Sequence, residues 1–314
     1  MTTSFDWASW VLCHTRSKTV TETALLQKLW KGYGDLQRLS LSGGALPSAI
    51  LKRVIPPSGA ETVSDLRKRR SYAVEQAWYQ TESRRCDDGC RVADCYAVAS
   101  QAETLLLLLE DLNRVGFHPR RPPMALHIRG GLSWLAHFHS RFLGARPVGL
   151  WEQGGYWHLD TRREEWLGMP SGCLKEHAEA LDQRLKGARY QTLIHGDSKP
   201  ANFCWNARGE AAAVDFQYVG PGCGIRDVAY FLDCCLSASN SESQADDWLD
   251  YYFAVLRQAI HQDGHVLDMG DLEREWRTLF PVAWSDYCRF WQGWSGSSRL
   301  GPYSSHQLDL ALAT

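Results

Sequence analysis

The chain of 314 residues has no marked excess of charge of either sign and no long apolar segment. It carries 34 Lys and Arg against 36 Asp and Glu, so its formal net charge is -2. Such a chain lacks the general basic surface with which nucleic-acid-binding proteins neutralise phosphates. Its longest apolar run, Tyr251–Leu256, is far shorter than the roughly 20 residues that span a membrane. The composition therefore argues against nucleic acid and membrane as partners.

A secretory signal and a paired cysteine motif are also missing. The first residues, MTTSFDWASW, show no basic region followed by an apolar one, so we expect no secretory signal. Cys86 and Cys90 are closely spaced, but no second close pair follows them, as zinc sites usually require. Cys234 and Cys235 adjoin in an apolar helical segment, which favours reduced thiols. We therefore expect a cytoplasmic protein without structural zinc.

The length suits two domains or lobes, and the character of the chain changes near Asn113. The part before Asn113 is rich in strand patterns and has one clear helix, over Leu66–Thr81, whereas the segment before Leu29 predicts helix and turn. Three apolar stretches predict strands: Ala49–Ile55, Val92–Val98 and Thr104–Leu109. We place one domain at 1–112 and a second at 113–314.

Helical patterns dominate the second part of the chain. Leu126–Leu143 and Leu174–Leu185 carry apolar residues at helical spacing. After a Ser-rich linker, Ser237–Ser243, a further helix presents Trp248, Tyr252 and other apolar residues on one face. The pattern thus predicts a small strand-rich lobe followed by a larger helical lobe.

The segment richest in chemical groups is Leu193–Asp227, LIHGDSKPANFCWNARGEAAAVDFQYVGPGCGIRD. Asp197 lies in a polar loop after an apolar strand, Asn202 follows five positions later, and Asp215 ends the next apolar run. Two carboxylates and an amide that a hairpin brings together provide the hard oxygen ligands that Mg²⁺ prefers, and they leave positions for phosphates. A carboxylate that does not hold the metal can accept the proton of an attacking hydroxyl.

Within this segment, HGDSKPAN resembles the catalytic loop of the aminoglycoside phosphotransferase and choline kinase superfamily. DFQ, at Asp215–Gln217, resembles the motif that carries the metal-binding Asp there, and LLLLEDLNRVGF resembles the hinge. The ecdysteroid-kinase-like branch is the most similar, since it pairs an HGD loop with a D-F-Q motif. The resemblance runs from about Gly32 to about Tyr252. It implies an α+β, two-lobe protein-kinase-like fold with an antiparallel-sheet N-lobe and a helical C-lobe.

The resemblance also implies a nucleotide site in the N-lobe and the hinge. Lys52, in AILK, would hold the α- and β-phosphates of ATP, and Glu75 would pair with it. Gly32 and Gly34 would let the backbone approach phosphate. Backbone groups at the lobe boundary would bind adenine, at Glu110, Asp111 and Leu112.

The resemblance assigns the transfer chemistry to the second lobe. Asp197 would orient and deprotonate an acceptor hydroxyl, and Lys199 would reach the transferred phosphate. Asn202 and Asp215 would hold Mg²⁺. Asp227, in GIRDVAYFL, resembles the structural Asp that braces the catalytic loop.

Two departures distinguish the chain from protein kinases. Gly196 replaces the Arg of the H-R-D loop, and Gln217 replaces the Gly of D-F-G. Only Tyr218–Arg226 separates Gln217 from Asp227, and no A-P-E sequence follows. This leaves no room for a regulated activation segment or a peptide platform, so we expect a kinase of small molecules.

Simpler interpretations apply to other polar residues. The basic run Arg67–Arg70 predicts a solvated helix start, with a phosphate or partner contact as the less favoured interpretation. His195 is expected to support the loop by hydrogen bonds rather than to shuttle protons.

Together these features predict a kinase that uses ATP and Mg²⁺ and phosphorylates a hydroxyl of a small molecule. The concentration of aromatic residues in Gly149–Trp166 favours a partly apolar or choline-like acceptor, since a polyamine sugar needs unpaired carboxylates. An aminoglycoside-type phosphotransferase, a non-catalytic nucleotide-binding relative and an enzyme that transfers an adenylyl group remain alternatives. The identity of the acceptor and the oligomeric state stay open.

Overall fold

The N-terminal part of the protein is built on one five-stranded antiparallel sheet. The computed structural model describes residues 6–57, 59, 62–236, 241–298 and 300–313. The strands are β1 (Thr19–Lys28), β2 (Gly34–Ser42), β3 (Ser48–Val54), β4 (Cys95–Gln101) and β5 (Thr104–Leu109), in the spatial order β1-β2-β3-β5-β4. Helix α1 (Trp7–Thr15) precedes the sheet, and α2 (Val63–Thr81) lies between β3 and β4 in the chain.

The remainder is mainly helical. Its helices are α3 (Ala125–Arg141), α4 (Arg163–Leu167), α5 (Cys173–Glu176), α6 (Ala178–Lys186), α7 (Ile225–Cys235), α8 (Ser241–Gln262), α9 (Met269–Ser295) and α10 (Pro302–Ala313). Two short antiparallel pairs complete it: β6 (Thr192–Ile194) with β9 (Gly220–Gly222), and β7 (Phe203–Trp205) with β8 (Ala211–Ala213). The predicted α+β, two-lobe fold is confirmed. Of the helices in the described ranges, none is long and apolar enough to cross a membrane.

The sheet separates an apolar layer from the face that carries Lys52. On one face Leu51 of β3 packs with Leu106 and Leu108 of β5 and with Val11 of α1. Successive side chains of a strand point to opposite faces, so Lys52 lies on the other one. The side chain of Lys52 therefore points toward α2, whereas that of Leu51 packs in the apolar layer.

Helix α2 begins at a capping box and packs against both parts of the protein. The hydroxyl of Thr62 accepts from the backbone N–H of Asp65, whose carboxylate accepts from the N–H of Thr62, so a capping box starts the helix. Its buried face includes Glu75 and Trp78. The Trp78 ring stacks on Phe216, with 4.6 Å between the ring centroids. Helix α2 therefore contacts the D-F-Q segment directly.

The predicted elements differ from the observed ones in three places. Thr19–Lys28 is a strand, not helix and turn, and most of its side chains are exposed because β1 lies at the edge of the sheet. The strand predicted from Val92 begins only at Cys95. The helix predicted over Leu174–Leu185 is interrupted at His177, which separates α5 from α6.

The Ser-rich linker predicted at Ser237–Ser243 is only partly covered by the structure. Residues 237–240 lie outside the described residues, and α8 already begins at Ser241. The helix predicted after the linker is therefore present and starts earlier than its apolar pattern indicated.

Close approach of two backbones makes Gly130 of α3 a sensitive position. A Cβ atom there would lie 1.8 Å from the carbonyl oxygen of Gly209. Gly130→Ala should therefore destabilise the protein by more than about 1 kcal/mol, because overpacking outweighs the gain in helix propensity. Gly168→Ala is the matched control, since its Cβ would meet Glu164 O at an ordinary 3.4 Å. Urea denaturation measures both, and equal midpoints for the two variants would contradict the prediction.

Candidate active site

The catalytic loop begins where β6 ends, and its shape requires a glycine at position 196. Gly196 has a φ of +77°, and a Cβ atom there would lie 2.2 Å from the carbonyl oxygen of Tyr218. Only glycine adopts this conformation without strain and leaves room for the neighbouring backbone. The replacement of the protein-kinase Arg at this position thus follows from the packing of the loop.

Asp227 of α7 holds the loop from below. Its buried carboxylate accepts hydrogen bonds from the backbone N–H groups of His195 at 2.6 Å and Gly196 at 3.0 Å. The hydroxyl of Ser198 donates to the backbone carbonyl of Asp227 at 2.9 Å. Burial alone would raise the pKa of Asp227, but the contact with His139 and the backbone donors lowers it below the usual value. These are the hydrogen bonds expected of a residue that braces the loop.

His195 has both ring nitrogens engaged by the loop itself. Nε2 lies 3.0 Å from the carbonyl oxygen of Val214, and Nδ1 accepts from the N–H of Asp197 at 3.3 Å. A carbonyl can only accept, so Nε2 carries the proton. This arrangement fits the structural role expected for His195.

The carboxylate of Asp197 is buried and receives three donors. Oδ2 accepts from Lys199 Nζ at 2.8 Å and from Asn202 Nδ2 at 3.0 Å. Oδ1 accepts from the Tyr230 hydroxyl at 3.3 Å, a contact that the sequence analysis did not predict. Burial raises the pKa of Asp197, and Lys199 offsets only part of this effect. A carboxylate with a raised pKa is a stronger base toward an alcohol.

Asp215 follows β8 and Asn202 directly precedes β7, so the two residues lie at the same end of this strand pair. The backbone N–H of Val214 donates to the Asn202 carbonyl at 2.9 Å, which keeps the two predicted metal ligands adjacent. Asp215 has a φ of +68°, a strained conformation that functional sites often retain. Burial alone would raise the pKa of Asp215, but Lys52, Lys68 and Lys199 lower it below its usual value.

Lys52 and Glu75 meet as predicted. Lys52 Nζ donates to Glu75 Oε2 at 2.6 Å and lies 3.6 Å from Asp215 Oδ1, with both partners of the first bond buried. Burial alone would lower the pKa of Lys52, but the two carboxylates raise it above the usual value. The ammonium group therefore stays charged between the sheet and residues 197–217, the predicted catalytic hairpin.

The side chains of the predicted hinge are fixed by the N-terminal sheet. Asp111 accepts from Arg38 Nε at 2.8 Å and from Ser48 Oγ at 2.9 Å. Glu110 pairs with Arg91. Leu112 begins a short 3₁₀ helix, where a backbone N–H has no intrahelical acceptor. The side chains of Glu110 and Asp111 are thus occupied, and adenine binding by the hinge backbone stays a prediction.

The two predicted glycines occupy different surroundings in the β1–β2 connection. Gly32 has a φ of +78° and open space where a Cβ would lie, which suits close approach of a phosphate. Gly34 has a φ of +127°, and its Cβ would lie 1.9 Å from the carbonyl oxygen of Arg53. Packing against β3 by itself explains Gly34, so its contact with a nucleotide stays a prediction.

The prediction of a solvated basic run at Arg67–Arg70 is wrong. Arg67 donates to the carbonyl of Thr161, and Arg70 donates to the carbonyl of Leu150 at 2.9 Å. Lys68 donates to the side-chain oxygen of Gln217 at 2.5 Å. These three side chains bind the helical part of the protein, and the spacing of the run contained no signal for such distant partners.

Arg69 is the member of the run that stays within the N-terminal part. It pairs with Glu103 and donates to the carbonyl of Pro57 at 3.1 Å. Its side chain therefore contacts residues at the edge of the sheet.

An aromatic cluster adjoins Asp197. Its buried members are Trp157, Tyr230, Tyr287 and Phe290, and Tyr156 and Trp291 pack against them. Trp151 and Trp166 instead donate to the backbone carbonyls of Gln217 and Lys175, and Trp284 donates to the Ser304 hydroxyl. Of the aromatic residues in Gly149–Trp166, only Tyr156 and Trp157 therefore belong to the cluster near the predicted base.

Solved structures share this architecture. A protein from Thermobifida fusca assigned as a fructosamine-3-kinase is 18% identical with a TM-score of 0.55, and the match covers 98% of each chain. A thermostable aminoglycoside phosphotransferase APH(4)-Ia in a ternary complex with AMP-PNP and hygromycin B is 9% identical with a TM-score of 0.50, over 99% of this chain and 97% of that one. The chain therefore shares the two-lobe fold of these solved structures.

The sequence comparisons are narrower. The family model DUF1679, described as "Uncharacterized oxidoreductase dhs-27", matches residues 175–285, which include the catalytic loop and the D-F-Q motif. No curated protein matches the sequence. The resemblance drawn from the sequence is thus confirmed at the level of the fold.

A double-mutant cycle can test whether Lys52 and Glu75 act together in nucleotide binding. Lys52→Met and Glu75→Gln should each weaken nucleotide binding or turnover, the second less strongly, because Glu75 acts through the lysine. The double variant should lose little more than Lys52→Met alone, since residues in contact are not additive. Binding of AMP-PNP by calorimetry measures the three variants. Fully additive losses would show that the two residues act independently.

Proposed function

We propose that this protein is a kinase that transfers the γ-phosphoryl group of ATP to a hydroxyl group of a small molecule. The observation that carries the proposal is the continuous set of charges from Glu75 through Lys52 to Asp215, with Asp197 and Lys199 beside it. Phosphoryl transfer needs positioning and charge neutralisation rather than covalent chemistry by the protein. Two lysines and three carboxylates at these separations supply both.

Asp197 is the proposed base of the reaction. Its raised pKa favours proton acceptance, and its three donors fix the direction of the carboxylate. Lys199 neutralises Asp197 in the present arrangement and is proposed to exchange this partner for the transferred phosphate. Lys52 is proposed to hold the α- and β-phosphates, with Glu75 as its positioning residue.

Asn202 and Asp215 fit a magnesium site. The amide nitrogen of Asn202 donates to Asp197, which turns the amide oxygen of Asn202 to the other side. Within the described part of the chain no group of three His, Cys, Asp or Glu side chains could hold a metal. A site of one amide, one carboxylate and phosphate oxygens needs no such group. When bound, Mg²⁺ would neutralise charge on the phosphates.

The segment after the D-F-Q motif supports a small acceptor. Val219–Arg226 is buried throughout, and Gly220–Gly222 pairs with β6. A protein substrate needs an exposed platform at this point, and a buried strand offers none. The proposed acceptor space is therefore the side of Asp197 that the aromatic cluster borders, which suits a small molecule.

The charges near this space disfavour a cationic acceptor. Arg162 lies over the ring of Tyr156 at 5.2 Å, and Lys199 lies 5.9 Å from the same ring centroid. Glu165 is shared by Arg162 at 2.9 Å and Arg67 at 3.7 Å, so these three side chains keep a net positive charge. A polyamine or quaternary ammonium would meet like charge here. We therefore propose that the acceptor is a neutral or anionic alcohol with substantial apolar area. This proposal keeps the apolar acceptors expected from the sequence and leaves out the choline-like ones.

Asp197→Asn should lower turnover by roughly 10²- to 10⁴-fold, because it removes the general base. AMP-PNP affinity should change little, since the proposed phosphate ligands remain. ADP release with a hydroxyl acceptor measures the first effect, and calorimetry measures the second. Asp250→Asn is the control, as Asp250 of α8 forms an ion pair with Arg277 of α9 and is largely exposed. A variant that keeps more than half of wild-type turnover would refute the assignment of Asp197.

The acceptor class is tested with a panel of compounds. Neutral and anionic apolar alcohols should give saturable ADP release, whereas choline-like alcohols and aminoglycosides should give little, because Arg162 and Lys199 repel their charge. Mass spectrometry of the product separates phosphoryl from adenylyl transfer. Turnover on aminoglycosides alone would contradict the proposed acceptor, and nucleotide binding without turnover on any class would favour the non-catalytic alternative.

A further inference from the structure

Helix α2 carries Lys68 on the side that faces Gln217. This is a third lysine near the site, besides Lys52 and Lys199, which already have proposed roles. Lys68, Ser71 and Glu75 are three and four positions apart, so they share one face of the helix. Glu75 on this face bonds to Lys52, and Ser71 donates to Gln217 Oε1 at 3.2 Å. Lys68 therefore points toward the same hairpin as the proposed nucleotide-binding groups.

The partners of Lys68 are neutral. Its Nζ donates to the amide oxygen of Gln217 at 2.5 Å and lies 4.7 Å from the centroid of the Tyr72 ring. Lys52 and Lys199, in contrast, bond directly to carboxylates. No carboxylate of the described residues lies within 4.0 Å of Lys68 Nζ. The ammonium group thus lies against the site without a direct counter-charge.

Gln217 connects this ammonium to the proposed metal ligand. Its amide nitrogen donates to Asp215 Oδ1 at 2.5 Å while its amide oxygen accepts from Lys68. An amide oxygen carries only a partial charge, so a phosphate oxygen that reaches the same position would bind the ammonium more strongly. The amide therefore occupies a place that an anion can take over.

We infer that Lys68 binds the terminal phosphate of the nucleotide and that Gln217 holds the lysine in place before the nucleotide arrives. This inference rests on the proposed function, since it assumes a nucleotide in the cleft. The position of Lys68 on α2 separates it from Lys52, which lies on β3 and is assigned to the inner phosphates. A lysine for the terminal phosphate makes the site distinguish a triphosphate from a diphosphate.

The test compares AMP-PNP with ADP, both with Mg²⁺, by calorimetry. Lys68→Met, which keeps the length of the side chain and removes its charge, should weaken AMP-PNP binding by about 10- to 100-fold. ADP binding should fall by less than about threefold, because the terminal phosphate is absent. Lys68→Arg should retain most of the preference for AMP-PNP. Arg274→Met, which removes an exposed positive charge paired with Asp271 on α9, is the control and should leave both affinities unchanged.

The outcomes separate a phosphate contact from a structural role and from failure of the proposed function. Equal losses for AMP-PNP and ADP in Lys68→Met, or no loss, would overturn the inference, and thermal unfolding identifies a general loss of stability. If the wild-type protein binds neither nucleotide, both the inference and the proposed function are wrong. If it discriminates through Lys68 but phosphorylates no acceptor, the inference holds and the proposed transfer fails.

Discussion

The candidate site depends above all on the buried carboxylate of Asp227, which accepts hydrogen bonds from two consecutive backbone N–H groups. These groups belong to His195 and Gly196, so the carboxylate fixes the chain directly before Asp197. Bonds from backbone N–H groups to a charged acceptor are stronger than neutral ones. Helix α7 also carries Tyr230, one turn later, whose hydroxyl reaches Asp197. One helix thus supports both the loop and its proposed base.

Helix α2 imposes the second constraint, because it binds both parts of the protein. Its Glu75 holds Lys52 of the sheet, its Trp78 stacks on Phe216, and its Lys68 reaches Gln217. The arginines at the start of the helix add bonds to backbone carbonyls of the helical part. The distance between the sheet and the catalytic hairpin is therefore set by one rigid element, so a shift of α2 would move several charges together.

Local patterns in the sequence predicted much of the fold and part of the site. Asp197 and Asn202 share one loop, and a short hairpin returns the chain to Asp215, so their proximity follows from spacing. The strand Thr19–Lys28 was predicted wrongly because an edge strand with mostly exposed side chains has no apolar alternation. The basic run on α2 was interpreted wrongly because its partners lie far away in the chain.

The sequence by itself determined the order of the chemical groups, the two-part organisation and, through its motifs, the resemblance to a kinase superfamily. Only the tertiary structure decided which distant groups meet, such as Lys68 with Gln217, 149 positions apart, and Tyr230 with Asp197, 33 positions apart. It also decided that cations already lie over Tyr156. The reason is physical: such contacts arise from the packing of helices against the catalytic hairpin, and local spacing does not specify that packing.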